Sequence, residues 1–254
     1  MSTPPLSGRA ALVTGGGVGI GAAIARALAE AGASVVVTYR THVPDDDVLA
    51  ALGRGGGKPL AVQVDATSEP EVRRAVDAAV DHLGRLDVLV NNVGGLVGRA
   101  TLAELDLERW RTVLAVNLDS MFLFTHHAVN HLPRHESGRV INVASLAGHT
   151  GGHPGALAYA TAKAGVLGFT RALATELGPQ GITANALAPG FIEATPFHDT
   201  FTTPESKART VAGIPLGRPG RPDDVAGAVR WLASDDAAFV SGAVIDINGA
   251  QHFH

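Results

Sequence analysis

Short β-branched segments alternate along this chain with longer stretches whose apolar residues recur at helical spacing. The alternation limits the available folds, because parallel strands need helical crossovers and lie buried beneath helices on both faces of their sheet. We therefore predict one doubly wound α/β domain of about seven parallel strands with helices on both faces. The predicted strands are Ala10–Val13, Val35–Thr38, Leu60–Val64, Val88–Val90, Val140–Val143, Ile182–Leu187 and Val244–Ile247. The predicted helices are Ala22–Glu30, Val72–Leu83, Leu107–Leu132, Tyr159–Leu177 and Asp224–Leu232.

Length and composition fit a single folding unit. Of the 254 residues, 46% are hydrophobic and 17% are charged, which suits a chain that buries a large sheet. No change of composition and no repeat indicates a boundary, so residues 1–254 are predicted to form one domain. Within it, a proline- and threonine-rich region at about 189–222, with Phe191, Phe197 and Phe201, interrupts the alternation. We interpret this region as a lid over the substrate.

Charge and residue usage exclude several functional classes. A formal net charge of −4 with scattered arginines argues against a nucleic-acid partner. The absence of cysteine excludes disulfides, thiolate zinc sites and cysteine nucleophiles. His127 and His131 have metal-ligand spacing, but no carboxylate or cysteine there completes a ligand shell, so no metal site is predicted. A start without a signal pattern, and helices interrupted by charges, lead us to expect a cytoplasmic protein without membrane contact.

A glycine-rich turn joins the first predicted strand to the first predicted helix. Its sequence is Thr14-Gly15-Gly16-Gly17-Val18-Gly19-Ile20-Gly21, and the helix follows at once. Glycine lets the backbone approach a pyrophosphate, and a helix N-terminus supplies free N–H donors and partial positive charge. The turn therefore favours a dinucleotide-binding site, with an ordinary tight turn as the alternative.

The end of the second predicted strand bears on the choice of dinucleotide. In many dinucleotide-binding folds a carboxylate about 20 residues beyond the glycines binds the ribose hydroxyls, whereas an arginine there accommodates a 2′-phosphate. This strand ends Thr38-Tyr39-Arg40-Thr41, without a carboxylate. Arg40 therefore favours NADP(H), with NAD(H) as the alternative cofactor. The other interpretation of Arg40 is an ordinary surface side chain.

Tyr159 and Lys163 stand four residues apart at the start of a predicted helix. This spacing puts the phenol and the ammonium on one helix face, one turn apart. A phenol with a pKa of about 10 is a poor acid–base catalyst at neutral pH, and a fixed cation nearby favours the phenolate. We therefore expect Lys163 to lower the pKa of Tyr159.

Ser145 follows a buried predicted strand, at the sheet edge where open α/β sheets place their sites. Its hydroxyl could hold a substrate oxygen. Taken alone, Ser145 and the Tyr159/Lys163 pair fit an N-cap serine and an exposed helix face equally well. The other motifs of the chain decide between these interpretations.

Five motifs together resemble the short-chain dehydrogenase/reductase family. In chain order they are Thr14–Gly21, Asn91-Asn92-Val93-Gly94, Asn117, Ser145 with Tyr159/Lys163, and Pro189-Gly190. The resemblance covers essentially the whole chain. It implies a Rossmann domain and an NAD(P)-dependent oxidoreductase that transfers hydride between nicotinamide and a ketone or secondary alcohol.

The resemblance implies a role for each of four catalytic residues. Tyr159 is expected to act as general acid–base, with Lys163 lowering its pKa and binding the nicotinamide ribose. Ser145 is expected to orient the carbonyl, and Asn117 to position a water for proton relay. In reduction, Tyr159 would protonate the alkoxide that develops as hydride reaches the carbonyl carbon.

The resemblance also implies a set of cofactor contacts. Asp65 is expected beside the adenine, and Pro189, Gly190 and Ile192 against the nicotinamide amide. Two positions depart from the family pattern, because Val93 replaces a small alanine and Ala194 replaces a cofactor-binding threonine, for which Thr195 is the candidate substitute. The full expected cofactor-binding set is Gly15, Gly17, Gly19, Ile20, Gly21, Arg40, Thr41, Asp65, Ala66, Asn91, Gly94, Tyr159, Lys163, Pro189, Gly190 and Ile192.

The leading functional hypothesis is a reductase of a small or medium ketone that prefers NADP(H). Candidate substrate contacts are His149 and His153 in the loop before Tyr159. The residues expected to form an apolar substrate pocket are Leu96, Leu146, Leu157, Phe191 and Phe197.

Three other functions stay open. A 3-oxoacyl-[acyl-carrier-protein] reductase would need a basic docking patch, yet Glu136 and Gln180 stand where docking arginines are typical, although Arg134 lies close. A polyol or sugar dehydrogenase would use the polar loop Gly148–Gly155, and a cofactor-binding protein without turnover is the remaining alternative. Family members pair the Leu107–Leu132 and Tyr159 helices, so we expect a homodimer or homotetramer.

Overall fold

A parallel sheet of seven strands forms the centre of the computed structural model, which describes residues 3–54, 58–134, 138–195 and 204–253. The strand order is β3-β2-β1-β4-β5-β6-β7, and every pair of neighbours is parallel. The predicted doubly wound fold is confirmed, and the strand ends differ from the predicted ones by at most two residues. The strands are β1 (Ala10–Val13), β2 (Ser34–Tyr39), β3 (Leu60–Gln63), β4 (Val88–Asn91), β5 (Arg139–Val143), β6 (Thr183–Pro189) and β7 (Val244–Ile247).

Helices cover both faces of the sheet. On one face α1, α2 and α9 pack against Ala11 and Val13 of β1, while α3, α5 and α7 enclose the other face around Leu12. Successive strand residues point to opposite faces, so both sides of each central strand are apolar. The helices are α1 (Gly19–Glu30), α2 (Asp46–Leu52), α3 (Glu69–Leu83), α4 (Leu107–Leu114), α5 (Ser120–Ala128), α6 (Ala147–Thr150), α7 (Leu157–Leu177), α8 (Pro204–Ala212) and α9 (Pro222–Leu232).

The predicted helix Leu107–Leu132 is not continuous. It consists of α4, a π-helical segment Ala115–Asp119, α5 and a 3-10 turn Val129–His131. A π-helical segment inserts one residue into the helical repeat, which apolar periodicity does not reveal, and such segments occur often at functional sites. Asn117 lies within this segment and is buried.

The elements that apolar periodicity does not predict are short helices. Of these, α2 has seven residues and begins after Asp45, whose carboxylate accepts a hydrogen bond of 2.8 Å from Val48 N. Another, α8, lies inside the predicted lid, and the bridge between Ile192 and Gly220 ties the two ends of that region together. Phe197, Phe201 and Glu136 lie outside the described residues. Helices long and apolar enough to cross a membrane do not occur in the part of the chain that the structure describes.

The order of the strands reverses at β1, whose neighbours are β2 and β4. Open α/β sheets bind ligands in the crevice beyond the carboxyl ends of the strands at such a point. The glycine turn follows β1, Asn92 follows β4, Ser145 lies two residues after the end of β5 and Gly190 follows β6. The fold therefore brings the four motifs to one edge of the sheet.

Candidate active site

One cleft of about 690 Å³ runs along this edge. Of the cofactor-binding set predicted from the sequence, every residue except Asn91 lines the cleft. Three of the four predicted catalytic residues, Ser145, Tyr159 and Lys163, line it too. The cleft thus joins the glycine turn to the hydroxyl groups of Ser145 and Tyr159.

The glycines of the turn are required by close backbone approaches. A Cβ at Gly17 would lie 2.0 Å from the carbonyl oxygen of His42, and a Cβ at Gly21 would lie 2.1 Å from that of Gly15. Real Cβ atoms do not approach so closely, so larger residues would displace the turn. The free N–H groups at the start of α1 are therefore open to an anionic ligand, and the cradle fits the pyrophosphate of a dinucleotide.

Thr14 and Asn92 hold the turn against the end of β4. Thr14 Oγ1 accepts hydrogen bonds from Asn92 N at 2.9 Å and Val93 N at 3.2 Å. The side-chain amide of Asn92 donates to the carbonyl oxygens of Thr14 and Gly15 at 3.0 and 3.1 Å. Asn92 is absent from the predicted cofactor set, yet it lines the cleft and shapes the turn. Its position directly after β4, at the carboxyl end of a strand, is the sequence feature that indicates a place in the cleft.

Arg40 and Asp65 face each other at the far end of the cleft. Arg40 Nη2 lies 3.1 Å from Asp65 Oδ2, and the Arg40 side chain is 67% exposed. Hydrogen bonds from Thr67, and then the charge of Arg40, hold the pKa of Asp65 below its ordinary value. A guanidinium with this exposure can turn towards a ligand phosphate at small cost, because an exposed ion pair contributes about 0–1 kcal/mol.

The segment after β6 forms the opposite wall. Gly190 packs against Asn248, so that a Cβ there would lie 3.0 Å from Asn248 Cα. Ala194 adopts a left-handed conformation with φ of 56°, and Thr195, not Ala194, lines the cleft. Thr195 Oγ1 donates to Ile192 O at 3.2 Å. The predicted replacement of Ala194 by Thr195 therefore agrees with the course of the backbone.

Tyr159 and Ser145 meet across the cleft. Tyr159 is half-buried on the first turn of α7, and its phenol shares a hydrogen bond with the Ser145 hydroxyl. Ser145 Oγ also accepts a hydrogen bond of 3.1 Å from Ala147 N, which fixes the serine at the start of α6. Two hydroxyl groups therefore converge where a carbonyl oxygen could bind.

Lys163 is buried one turn further along α7. Its ammonium donates to the carbonyl oxygen of Val143 at 2.8 Å and lies 5.8 Å from the centre of the Tyr159 ring. Burial lowers the pKa of Lys163 to about 8. The last residue of β5 thus anchors the lysine beside the phenol.

The predicted effect of Lys163 on Tyr159 needs correction. Burial raises the pKa of Tyr159 above its ordinary value, and the hydrogen bond with Ser145 offsets only part of that rise. The spacing correctly places the two groups on one helix face, but desolvation of the phenol is the largest influence on the pKa of Tyr159 in this cleft. Burial therefore favours the protonated form of the Tyr159 phenol.

Asn117 lies beneath the cleft and does not line it. Its amide donates to Gly95 O at 2.8 Å and Val113 O at 2.9 Å and accepts from Gly95 N at 3.0 Å. A Cβ at Gly94 would lie 2.8 Å from Asn117 Oδ1 and 2.9 Å from Lys163 Nζ. The amide therefore supports the loop above Lys163, and its predicted role in positioning a water stays a prediction.

The predicted role of Asn91 also needs correction. Its side chain is buried and donates to Asn142 Oδ1 at 2.8 Å and Thr125 Oγ1 at 2.9 Å. Asn142 is its register partner on β5, so both side chains lie on the same face of the sheet. The predicted cofactor contact is wrong because Asn91 is the last residue of β4 and points into the core, whereas Asn92 reaches the cleft.

The predicted substrate pocket is found in part. Leu96, Leu146 and Phe191 line the cleft, whereas Leu157 is 40% exposed and lies outside it. His153 lines the cleft, and its contact with substrate stays a prediction.

His149 does not line the cleft. Its Nε2 lies 4.0 Å from Asp246 Oδ1, and its ring stacks on that of His252 with centroids 5.6 Å apart. On α6 this side chain contacts Asp246 and His252 instead of the cleft, which its place in the sequence does not indicate.

Clusters of three or more potential metal ligands do not occur within the described ranges. His127 Nε2, on α5, lies 3.6 Å from the carboxylate of Glu69 on α3.

Comparison with known proteins is consistent with this arrangement. A family model described as enoyl-(acyl carrier protein) reductase matches residues 16–252. The chain is 40% identical to a 3-oxoacyl-[acyl-carrier-protein] reductase of Synechocystis over 97% of its length and 98% of that protein. It is 41% identical to a cis-4-hydroxycyclohexanecarboxylate dehydrogenase of Sinomonas cyclohexanicum, with 95% of both chains covered. A solved short-chain dehydrogenase/reductase from Serratia marcescens superposes with a TM-score of 0.87 at 35% identity, covering 97% of this chain and 99% of that one.

Proposed function

The chain belongs to the short-chain dehydrogenase/reductase family, and we propose that it reduces a ketone, or oxidises the matching secondary alcohol, with preference for NADP(H). The observation that carries this proposal is the convergence of Ser145, Tyr159 and Lys163 in one cleft with the glycine turn. A relative named for a secondary alcohol, at 41% identity, supports the same substrate class.

The geometry supports a division of work among the residues. A nicotinamide cofactor bound along the glycine turn, Arg40, Asp65 and Gly190 would supply the hydride. Burial raises the pKa of Tyr159 and so favours its protonated phenol, which would donate a proton to the oxygen that becomes an alkoxide. Ser145 would hold that oxygen by a hydrogen bond, and Lys163, fixed by Val143, would bind the cofactor ribose.

The preference for NADP(H) rests on Arg40. No carboxylate stands at the end of β2, and Arg40, Thr41 and His42 line this part of the cleft. The guanidinium matches the geometry of a 2′-phosphate, and because it is itself exposed it can leave Asp65 for a ligand.

Reduction assays test the proposal directly. The protein is incubated with NADPH or NADH and a panel of aliphatic and cyclic ketones, diketones and acyl thioesters, while the absorbance of the reduced nicotinamide is followed. We expect turnover of ketones with NADPH preferred. Tight cofactor binding with no turnover of any substrate would instead indicate a cofactor-binding protein without catalysis.

Reduction of a 3-oxoacyl group on an acyl carrier protein is the second candidate. It is favoured by the name of the Synechocystis relative, at 40% identity over nearly the whole chain. Gln180, in the 3-10 turn Gly178–Gln180 that follows α7, argues against it because a carrier-docking surface would be basic there. A carrier-bound 3-oxoacyl thioester turned over far faster than the same acyl group on N-acetylcysteamine would favour this function.

We also propose a homodimer or homotetramer. Phe122 on α5 is 49% exposed, and Trp231 on α9 and Phe239 are exposed as well. Exposed aromatic side chains of this size are typical of interface residues. Light scattering after size-exclusion chromatography would give the mass, and a monomer would contradict the proposal.

A further inference from the structure

We infer that the substrate carries a carboxylate, which Arg99 and Arg209 bind at the mouth of the cleft. The inference rests on the proposed ketone reduction and adds to it the chemical class of the substrate. It concerns the end of the cleft opposite Arg40, beyond the residues assigned to the cofactor.

A second cavity of about 680 Å³ opens beside the active-site cleft. Arg99, His153, Ser206, Thr210 and Gln251 line both cavities, so the two form one continuous opening. Gln251 connects this mouth with the nicotinamide end, because its Oε1 would lie 3.5 Å from a Cβ at Gly190. A substrate bound near Ser145 and Tyr159 can therefore extend into the mouth.

The mouth is positively charged. Arg99, Arg209 and His153 line it, and the described lining residues include no carboxylate. Arg99 donates from Nη1 to the carbonyl oxygen of Pro154 at 3.1 Å, which leaves its other N–H groups for a ligand. Within residues 3–54, 58–134, 138–195 and 204–253, neither arginine forms an ion pair. Two guanidinium groups on one cavity suit a carboxylate, which they can bind through paired hydrogen bonds.

Arg99 is held in a fixed relation to Tyr159. Gly155 adopts φ of +79°, and a Cβ there would lie 3.0 Å from Arg99 Cβ. Ala100 N donates a hydrogen bond of 3.1 Å to Gly155 O. This bond joins the loop that contains Arg99 to the loop that precedes α7. Gly155 stands four residues before Tyr159. The anion-binding group is therefore positioned by the backbone that positions the proton donor, which orients a substrate bound to both.

The cleft walls between the two arginines and the catalytic residues are apolar and can contact the carbon chain of a substrate. Leu96 and Phe191 are buried and line the cleft, and Ala156 adds a small apolar surface beside the mouth. An oxo acid, with its ketone at Ser145 and Tyr159 and its carboxylate at the mouth, matches this arrangement. The phosphate of a pantetheine arm is the other source of a suitable anion, and the experiment separates the two.

Matched acids and esters test the inference. We would measure kcat/KM for 4-oxopentanoate, 5-oxohexanoate and 6-oxoheptanoate and for their methyl esters, which keep the ketone and remove the charge. Binding of the same compounds to the protein with NADP⁺ would be measured by calorimetry, which needs no turnover. We expect the acid of best length to exceed its ester by about tenfold or more in kcat/KM and in affinity. Arg99→Gln and Arg209→Gln should each reduce this acid-to-ester ratio, and Arg99→Lys should retain part of it.

Arg73→Gln is the matched control, because Arg73 is exposed on α3 and does not line either cavity. Acid-to-ester ratios near one in the wild type, or ratios unchanged in both arginine variants, would overturn the inference while leaving ketone reduction intact. If the arginine variants lower kcat/KM only for a 3-oxoacyl coenzyme A thioester and not for the oxo acids, the inference of a substrate carboxylate is overturned. The anion bound at the mouth is then a pantetheine phosphate. If no ketone is reduced, the proposed function fails, and calorimetry alone decides whether the mouth binds carboxylates.

Discussion

Lys163 is a buried cation held by a main-chain carbonyl, and its environment makes the stability of the protein depend on pH. Burial lowers its pKa from 10.5 to about 8 in the folded protein. Between these values the unfolded chain binds more protons than the folded one, so stability rises with pH across this window. Below pH 8 the full cost of the buried ammonium is present.

Urea unfolding at pH 8 and pH 10 measures this cost when Lys163→Met serves as the reference. The free energy of unfolding of the wild type should rise relative to the variant by about 2 kcal/mol between the two pH values. An unchanged difference would show that the ammonium keeps an ordinary pKa in the folded protein.

Arg40 should determine the choice of cofactor. Arg40→Asp removes the cation that matches a 2′-phosphate and supplies a carboxylate that can accept hydrogen bonds from ribose hydroxyls. We expect the NADPH-to-NADH ratio of kcat/KM to fall by about 10- to 100-fold and the preference to reverse. Arg73→Asp makes the same charge change on α3 and should leave the ratio as it is. A ratio unaffected by Arg40→Asp would refute the assignment.

The loop after β4 connects two elements of the site through a single glycine. Gly94 lies between the amide of Asn117, in the π-helical segment, and the ammonium of Lys163, on α7. The π-helical segment brings Asn117 beneath the loop, where its amide holds Gly95 by two hydrogen bonds. A side chain at position 94 would therefore move both groups together.

Gly94→Ala is expected to lower kcat by about tenfold or more, because small displacements of catalytic groups cost large factors in rate. Gly98→Ala is the control, since a Cβ there meets nothing within 4 Å. Steady-state kinetics with the best ketone would check the prediction. Equal kcat values for the two variants would show that Lys163 and Asn117 can move without consequence.

Across the whole molecule, the sequence predicts the sheet because the central strands are apolar on both faces and helices separate them. It does not predict the π-helical segment at Ala115–Asp119, because one inserted residue leaves the apolar pattern of α4 and α5 nearly unchanged. It also misses α2 and α8, which are too short for a clear periodicity, although Asp45 provides a recognisable N-cap for α2.

The sequence likewise predicts some features of the candidate site and not others. The motif order predicts which residues meet, since the ends of parallel strands share one edge. The side on which a strand residue points depends on where the strand ends. The sequence does not mark the end of β4, so it predicts a cofactor contact at Asn91 instead of Asn92. Spacing along α7 places Tyr159 beside Lys163, but only the packing around the phenol reveals that burial raises its pKa.

In the proposed reaction Tyr159 donates the proton while other groups bind the cofactor. Single-turnover reduction of the best ketone by the Tyr159→Phe variant with NADPH tests it most directly, with cofactor affinity measured by nicotinamide fluorescence. We expect a loss of about 10³-fold or more in the rate of hydride transfer with cofactor affinity largely unchanged. A rate within tenfold of the wild type would contradict it.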